Sequence, residues 1–216
     1  MTEKRAFTTA KIIQTLLKNQ FRDIERYIDF FDKNIELEKQ REAATALRYD
    51  DKIFQNIAKY HSHISIPDIH SKSLLIFIHS SFEQMLCLMA CWISIGHDGG
   101  SKIPSLKGFP EARKYLEIML VDGDPFHSEE WKRVEDFRLI RNHFAHGGNE
   151  GIIGVKGEDR YVLAAREINR KFDETFHISE FSGRFKIKPE ERAVRTAVSC
   201  YKDFLFLLGN IAKASG

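Results

Sequence analysis

The sequence predicts a mainly α fold, a helical bundle with a small β-hairpin or irregular insertion before its last helix. Three observations point there. Apolar residues recur at intervals of three to four over long stretches that contain neither Gly nor Pro. A central segment carries clear helix start and stop signals. Between Ile152 and Ile187 the texture changes to short apolar runs separated by turn residues.

The elements follow in order. Ile12, Ile13, Leu16, Leu17, Phe21, Ile24, Tyr27 and Ile28 keep helical spacing and make one wall of the bundle. Asp32 to Tyr49 is more charged and continues as a partly exposed helix. His61 to Ile69, around Pro67, breaks the pattern, with Asp68 or Ser71 as cap for the next helix. Leu74 to Ile95 is apolar for most of its length. His79, Ser80, Ser81, Glu83 and Gln84 near its middle argue for a buried soluble helix and against a membrane span. Gly96 to Gly108 reads as a loop, and Pro110 opens a short helix running to Leu120. The Asp122-Gly123-Asp124-Pro125 turn follows.

Ser128 caps the next helix, Glu129 and Glu130 complement its positive end, and Gly147-Gly148 stops it. Trp131, Val134, Phe137 and Ile140 or Phe144 form its packed stripe. Ile152, Ile153 and Val155, a Gly157-Glu158-Asp159 turn, then Tyr161, Val162 and Leu163 suggest one hairpin. Phe176 to Ile187 around Gly183 suggests a second. Pro189 opens the last helix, Glu190 to Lys213. Residues 1–216 read as a single domain in which 151–188 is the insertion, since no composition break divides the chain.

Charge excludes little. Lys and Arg total 33 against 31 Asp and Glu, so the balance neither demands nor forbids a polyanionic partner. Three cysteines make no disulfide framework, and Cys87 and Cys91 read as small core residues of a reduced, cytoplasmic protein. No phosphate-cradling Gly loop, dinucleotide fingerprint or credible Ser or Cys nucleophile is present, so no cofactor is expected. His61, His63 and His70 match no compact zinc spacing, and no metal is expected. His97-Asp98 resembles the pair of metal-dependent HD phosphohydrolases but falls between glycines in the loop.

Arg141-Asn142-His143-Phe144-Ala145-His146 is the candidate site. It gathers a permanent cation, an amide and two imidazoles at a helix end, where Arg and His also suit capping of the last carbonyls. Metal-free phosphodiester cleavage uses such a set: one group takes the 2′-hydroxyl proton, another protonates the leaving oxygen, and donors hold the phosphate. Histidine suits the proton transfers and the forked guanidinium suits the phosphate. On an ideal helix Asn142 and His146 lie about 40° apart, whereas Arg141 and His146 diverge by about 140°. Arg141 must therefore curl round, the last turn must loosen, or a second subunit must complete the site.

An Arg followed by a polar residue, with His after four to six intervening positions, resembles the signature of the HEPN superfamily. Arg141-Asn142-His143-Phe144-Ala145-His146 is similar to its four-spacer form. The resemblance covers roughly residues 70 to 148 and the last helix. It implies a helical bundle that cuts RNA without metal as a homodimer, as toxin-antitoxin and antiviral defence proteins do, with an antitoxin or defence-system protein as a further partner. It gives Arg141 the phosphate contact, Asn142 an orienting or binding role, and His146 the acid/base role. His143 sits in a variable spacer position and joins them by proximity alone. Ser81-Phe82-Glu83 resembles the second helix of some members, whose acidic residue faces the site, and Glu83 paired with Arg141 would solve its burial. The alternative is a catalytically inactive bundle of the same kind that binds RNA or protein.

Overall fold

The computed structural model describes residues 2–48, 51–98, 106, 108–120, 124–146, 152–153, 159–182 and 184–214. In chain order these form helices α1 (Thr2–Ala46), α2 (Lys52–Tyr60), a π-helical turn (His61–Ser65), α3 (Ile66–Asp98) and α4 (Phe109–Met119). A 3-10 turn (Pro125–His127) leads into α5 (Glu129–His146), strand β1 (Ile152–Ile153) and α6 (Arg160–Phe172). Strands β2 (Phe176–Phe181) and β3 (Arg184–Pro189) and helix α7 (Ala193–Ala214) complete the series. The predicted bundle with a β element ahead of its last helix is present.

The wall expected from the start of the sequence is one helix, and its buried stripe is Ile13, Leu17, Phe21, Ile24 and Ile28. Ile12, Leu16 and Tyr27, from the same periodic set, stay 40–43% exposed. The stripe packs on α3 and α7. Arg195 of α7 reaches Asp29 at 2.9 Å and Asp32 at 2.7 Å, exposed pairs that orient the two helices more than they stabilise them.

The break expected around Pro67 is instead a continuation. Proline within a helix has no N–H for the carbonyl four residues back, and its ring crowds that carbonyl. Here the preceding turn widens into the π form, in which the Ile66 N–H donates to His61 O, and α2 runs into α3 without a stop. Asp68 is consequently no cap; it accepts from the Lys72 ammonium at 2.7 Å. The expected loop also begins later, because α3 extends through Asp98. Gly99-Gly100 lies outside the described residues.

Helix α3 is the central element, touching α1, α4, α5 and α7 and burying Leu74, Ile78, Phe82, Leu86 and Ala90. The continuous helix Lys52–Ile95 is long and apolar enough to cross a membrane, but half of its most apolar window is buried inside the molecule. Pro110 occupies the first turn of α4 as expected. Gly108 before it has φ +121°, a conformation that side-chain-bearing residues rarely adopt.

The start of α5 matches the sequence reading: Ser128 Oγ accepts from the Trp131 N–H at 3.1 Å. Trp131, Val134, Phe137, Ile140 and Phe144 are all buried. Trp131 is enclosed by Phe109, Phe126 and Phe204 with ring centroids 4.8–5.7 Å away, which locks α5 against α4 and α7. Gly147-Gly148, the expected stop, lies outside the described residues.

The first expected hairpin is not formed. Ile152 and Ile153 are a strand, but Tyr161, Val162 and Leu163 open α6, with Asp159 Oδ1 accepting from the Tyr161 N–H at 2.9 Å. The β-rich triplet yields to the cap and to Ala164, Ala165 and Ile168, which continue the spacing of a helix buried on α5. Val155 and the Gly157-Glu158 part of the turn lie outside the described residues. The second hairpin is present as β2 and β3, and β1 joins it in an antiparallel sheet of order β1-β3-β2. Asn169 of α6 clamps this sheet, donating to Phe176 O at 2.6 Å and accepting from Phe176 N–H at 2.8 Å. Pro189 closes β3 opposite Phe176, and Glu190 N–H bonds Thr175 O at 3.0 Å. The sheet thus uses the residues assigned to the helix start, and α7 begins at Ala193.

Candidate active site

The last turns of α5 sort the motif by burial. Arg141 and Asn142 are half-buried, His143 is 5% exposed, and His146 is exposed at the helix end. Arg141 Nη1 donates to Asn142 Oδ1 at 2.8 Å, and Nη2 points at Ser80 Oγ of α3 at 3.5 Å. Ser80 has its own proton committed to Ile76 O at 3.0 Å, so it is free to accept from Arg141. Arg141 Nε is buried with no hydrogen-bond partner, leaving the guanidinium incompletely satisfied.

Helix α5 is regular through His146, so the last turn does not loosen to bring His146 round to Arg141. Nor does Arg141 curl, since Asn142 and Ser80 hold its head. His143 turns the other way, into the contact between α5 and α6, where its ring centroid lies 5.2 Å from that of Tyr161. Within one chain the structure joins Arg141 to Asn142 and Ser80; His146, on the Asn142 side by helical spacing, stays exposed, and His143 faces α6. Lys72, 5.5 Å from the centroid of Phe144, places this end of α5 beside the first turns of α3.

Glu83 is not paired with Arg141, contrary to the expectation from sequence. Its Oε1 lies 3.4 Å from Nε2 of His79, one turn back on α3. A partner four residues away on the same helix is nearer than one across the α3–α5 gap, and the Arg141 head is already held. Hydrogen-bonding attraction from the His79 ring holds the Glu83 carboxyl below its ordinary range, with the charges of His79, Arg141 and Arg138 adding and partial burial opposing. His79 is fully buried, and its Nδ1 lies 2.9 Å from the Tyr201 hydroxyl of α7. Nε2 is buried and only loosely aligned with the carboxylate, a 3.4 Å approach short of a well-formed hydrogen bond; with the single proton on Nε2, Nδ1 accepts from the Tyr201 hydroxyl.

The charge of Arg141 is felt at both ends of a polar line, Tyr201–His79–Glu83, that runs from the core to a 31% exposed carboxylate. In sequence His79 is only a polar residue in an apolar helix, and nothing joins it or Tyr201, 122 residues away, to the site. The four-residue spacing of His79 and Glu83 was the one available signal. Replacing Tyr201 by Phe is expected to leave Nδ1 buried without its partner. Stability should fall by about 1–3 kcal/mol, read from the midpoint of urea unfolding. A midpoint unchanged from the parent would mean that the hydroxyl carries no net stability.

Other reactive groups lie elsewhere. Burial raises the thiols of Cys87 and Cys91, and pushes that of Cys200 up to about 12, so none is poised as a nucleophile. His61 and His63 are exposed in the π turn, whereas His70 packs on Phe31 with centroids 5.7 Å apart. Among the described residues no group of three or more His, Cys, Asp or Glu side chains is arranged to hold a metal ion. Burial also raises the Asp136 carboxyl of α5 to about 6.

The chain matches no family model, no curated protein and no solved structure.

Proposed function

We propose that the chain is a metal-independent endoribonuclease of the HEPN type, working in the cytoplasm as a homodimer whose cleft is lined by Arg141 and His146 of both copies. The observation that carries this reading is the divided motif. Arg141 is held at a half-buried position by Asn142 and Ser80, and His146 stands exposed one and a half turns further on the same regular helix. Cleavage needs a base to take the 2′-hydroxyl proton as the 2′-oxygen attacks phosphorus, and an acid to protonate the departing 5′-oxygen. One chain offers a single exposed imidazole in the motif, and a second copy supplies the other. Arg141, with Asn142 orienting its head, supplies charge to the phosphate. Glu83 balances that charge through space, and His143 supports the turn from within the core. Such an enzyme fits a growth-arresting toxin or antiviral effector, with an antitoxin or defence-system protein restraining it.

The same division favours a second reading, an inactive bundle of this type that binds RNA or protein, because no single chain assembles the motif. Incubation with single-stranded and transfer RNA in EDTA separates them, with Arg141→Ala and His146→Ala alongside. The nuclease reading expects cleavage by the parent and a loss of about 100-fold or more in each variant, the size of one acid–base or phosphate contact. His146 is exposed, so its removal should leave folding intact. RNA that is bound but left whole supports the module, and cleavage abolished by the chelator rules out metal independence.

A further inference from the structure

The hairpin of β2 and β3 has two unlike faces. One is apolar: Phe176, Ile187 and Pro189 are buried where the sheet packs on α3 and α6. Successive side chains of a strand alternate between faces, so the cross-strand pairs His177 with Lys188 and Ser179 with Lys186, and Arg184 beside the turn, belong to the other. No acidic residue holds a position on this second face. His177, Arg184 and Lys186 are exposed, and Lys188 is half-buried. Arginines elsewhere are neutralised locally, Arg113 by Glu117, Arg138 by Glu135, Arg170 by Glu167 and Arg195 by Asp29 and Asp32. Arg184, Lys186 and Lys188 have no ion pair among the described residues. Lys188 lines a groove with Glu36, Glu190 and Glu191, which offset part of its charge, whereas Arg184 and Lys186 lie outside that groove.

We infer that this basic face is a binding track for the phosphate backbone of a single-stranded nucleic acid. Sign is the first argument. A chain with a net charge of only +2 sets three cations on one strand face with no carboxylate between them, a mutual repulsion that an anionic ligand relieves. Spacing is the second. Arg184, Lys186 and Lys188 stand at alternate positions of β3, about 6.7 Å apart in a row of about 13 Å. A row of repeated charge suits a ligand of repeated charge. Nucleotides stacked in a duplex advance about 3.4 Å each along a strand, half this spacing, so a strand drawn out of its stack sets successive phosphates against successive cations. Rigidity is the third. β3 is the middle strand, and Lys186 is paired with Ile152 of β1 on one side and Ser179 of β2 on the other, so binding has side chains to order but no backbone. Position is the fourth. The six-residue step from His146 to Ile152 spans at most about 21 Å, which keeps the sheet near the motif at the end of α5. The track lengthens the cleft of the nuclease reading without resting on it, since phosphate contacts need no 2′-hydroxyl.

The probe is a fluorescein-labelled single-stranded DNA oligonucleotide, which lacks the 2′-hydroxyl and so stays whole under the cleavage route proposed above. Its binding to the full chain is read by fluorescence anisotropy between about 50 and 200 mM salt. Arg184→Ala combined with Lys186→Ala removes two cations. At about 0.7 per phosphate contact, the slope of log affinity against log salt should flatten by about 1.4, and affinity at about 0.1 M salt should fall about 25-fold. Lys186→Ala alone should lose about 5-fold. Lys18→Ala combined with Arg22→Ala, exposed on α1 and equal in charge removed, should bind as the parent. Arg184 and Lys186 are exposed, so the far-ultraviolet circular dichroism of their variants should match the parent's, separating lost binding from lost fold. A parent that leaves the oligonucleotide unbound at about 50 mM salt overturns the proposal. So does a sheet variant that binds as the parent, or an α1 variant that loses as much. Flotation with phosphatidylserine vesicles without oligonucleotide binding gives the face to a membrane and overturns it too. Cleavage of RNA is scored separately, so failure of the nuclease reading and failure of the track remain distinct results.

Discussion

Phe82→Ala is expected to destabilise the fold by about 3–5 kcal/mol, the range for deleting a buried aromatic ring. Phe82 is fully buried on α3 and stacks on Tyr201 with centroids 4.6 Å apart. It also meets Phe204 at 6.2 Å and lies 6.0 Å from the His79 ring. Its removal opens a cavity directly behind the Tyr201–His79–Glu83 line, which rigid helices cannot collapse to fill. For a chain of this length the loss corresponds to a fall in Tm of about 6–20 °C. Thermal unfolding followed by circular dichroism measures it, and a change below about 1 kcal/mol would mean that α3 and α7 are not packed on this ring.

Asp136→Asn should act in the opposite direction. Burial raises the Asp136 carboxyl from 3.8 to about 6; Lys132 and Lys171 relieve part of the effect, and Glu167 and Glu135 add to it. The folded state therefore binds this proton more tightly than the unfolded state does. Between about pH 4 and pH 6 stability falls as pH rises, and above pH 6 the full penalty remains. A shift of this size is worth about 3 kcal/mol at most, nearer 2 kcal/mol once contact with water is allowed for. Asparagine keeps the shape and discards the charge, so the variant should gain about 1–2 kcal/mol at pH 7 and almost nothing at pH 4. Melting curves at pH 4, 5, 6 and 7 decide it; parallel curves for parent and variant across that range would refute the assignment.

The local signals were the legible ones. Ser128 as a cap, Pro110 in a first turn and the stripe from Trp131 to Phe144 each rest on chemistry contained in a few adjacent residues. The motif's position at the end of α5, and the divergence of Arg141 from His146, followed from the same 3.6-residue period. What escaped depended on partners distant in sequence or on competition between local preferences. Glu83 reads as a partner of Arg141 because a buried carboxylate needs one; the choice of His79 is decided by which side chains are already held. Tyr161-Val162-Leu163 has strand composition, and only its cap and the downstream Ala164 and Ile168 turn it into helix. Pro67 reads as a break because sequence does not reveal that the preceding turn can widen to spare it.

The bond between His79 and Tyr201 closes a loop of 122 residues. Such a contact has consequences for the order in which the chain folds. The α1–α2 hairpin and the start of α3 rely on near neighbours and can form early, since local contacts close little chain entropy. The imidazole of His79, by contrast, has no hydroxyl to meet until α7 docks, and α7 also supplies the surface on which α1 lies. Until then α3 offers water an apolar helix with a polar notch in it, a state prone to non-native association. Docking of the last helix is thus expected as a late, cooperative event of folding, the one that gives the His79 imidazole its hydroxyl.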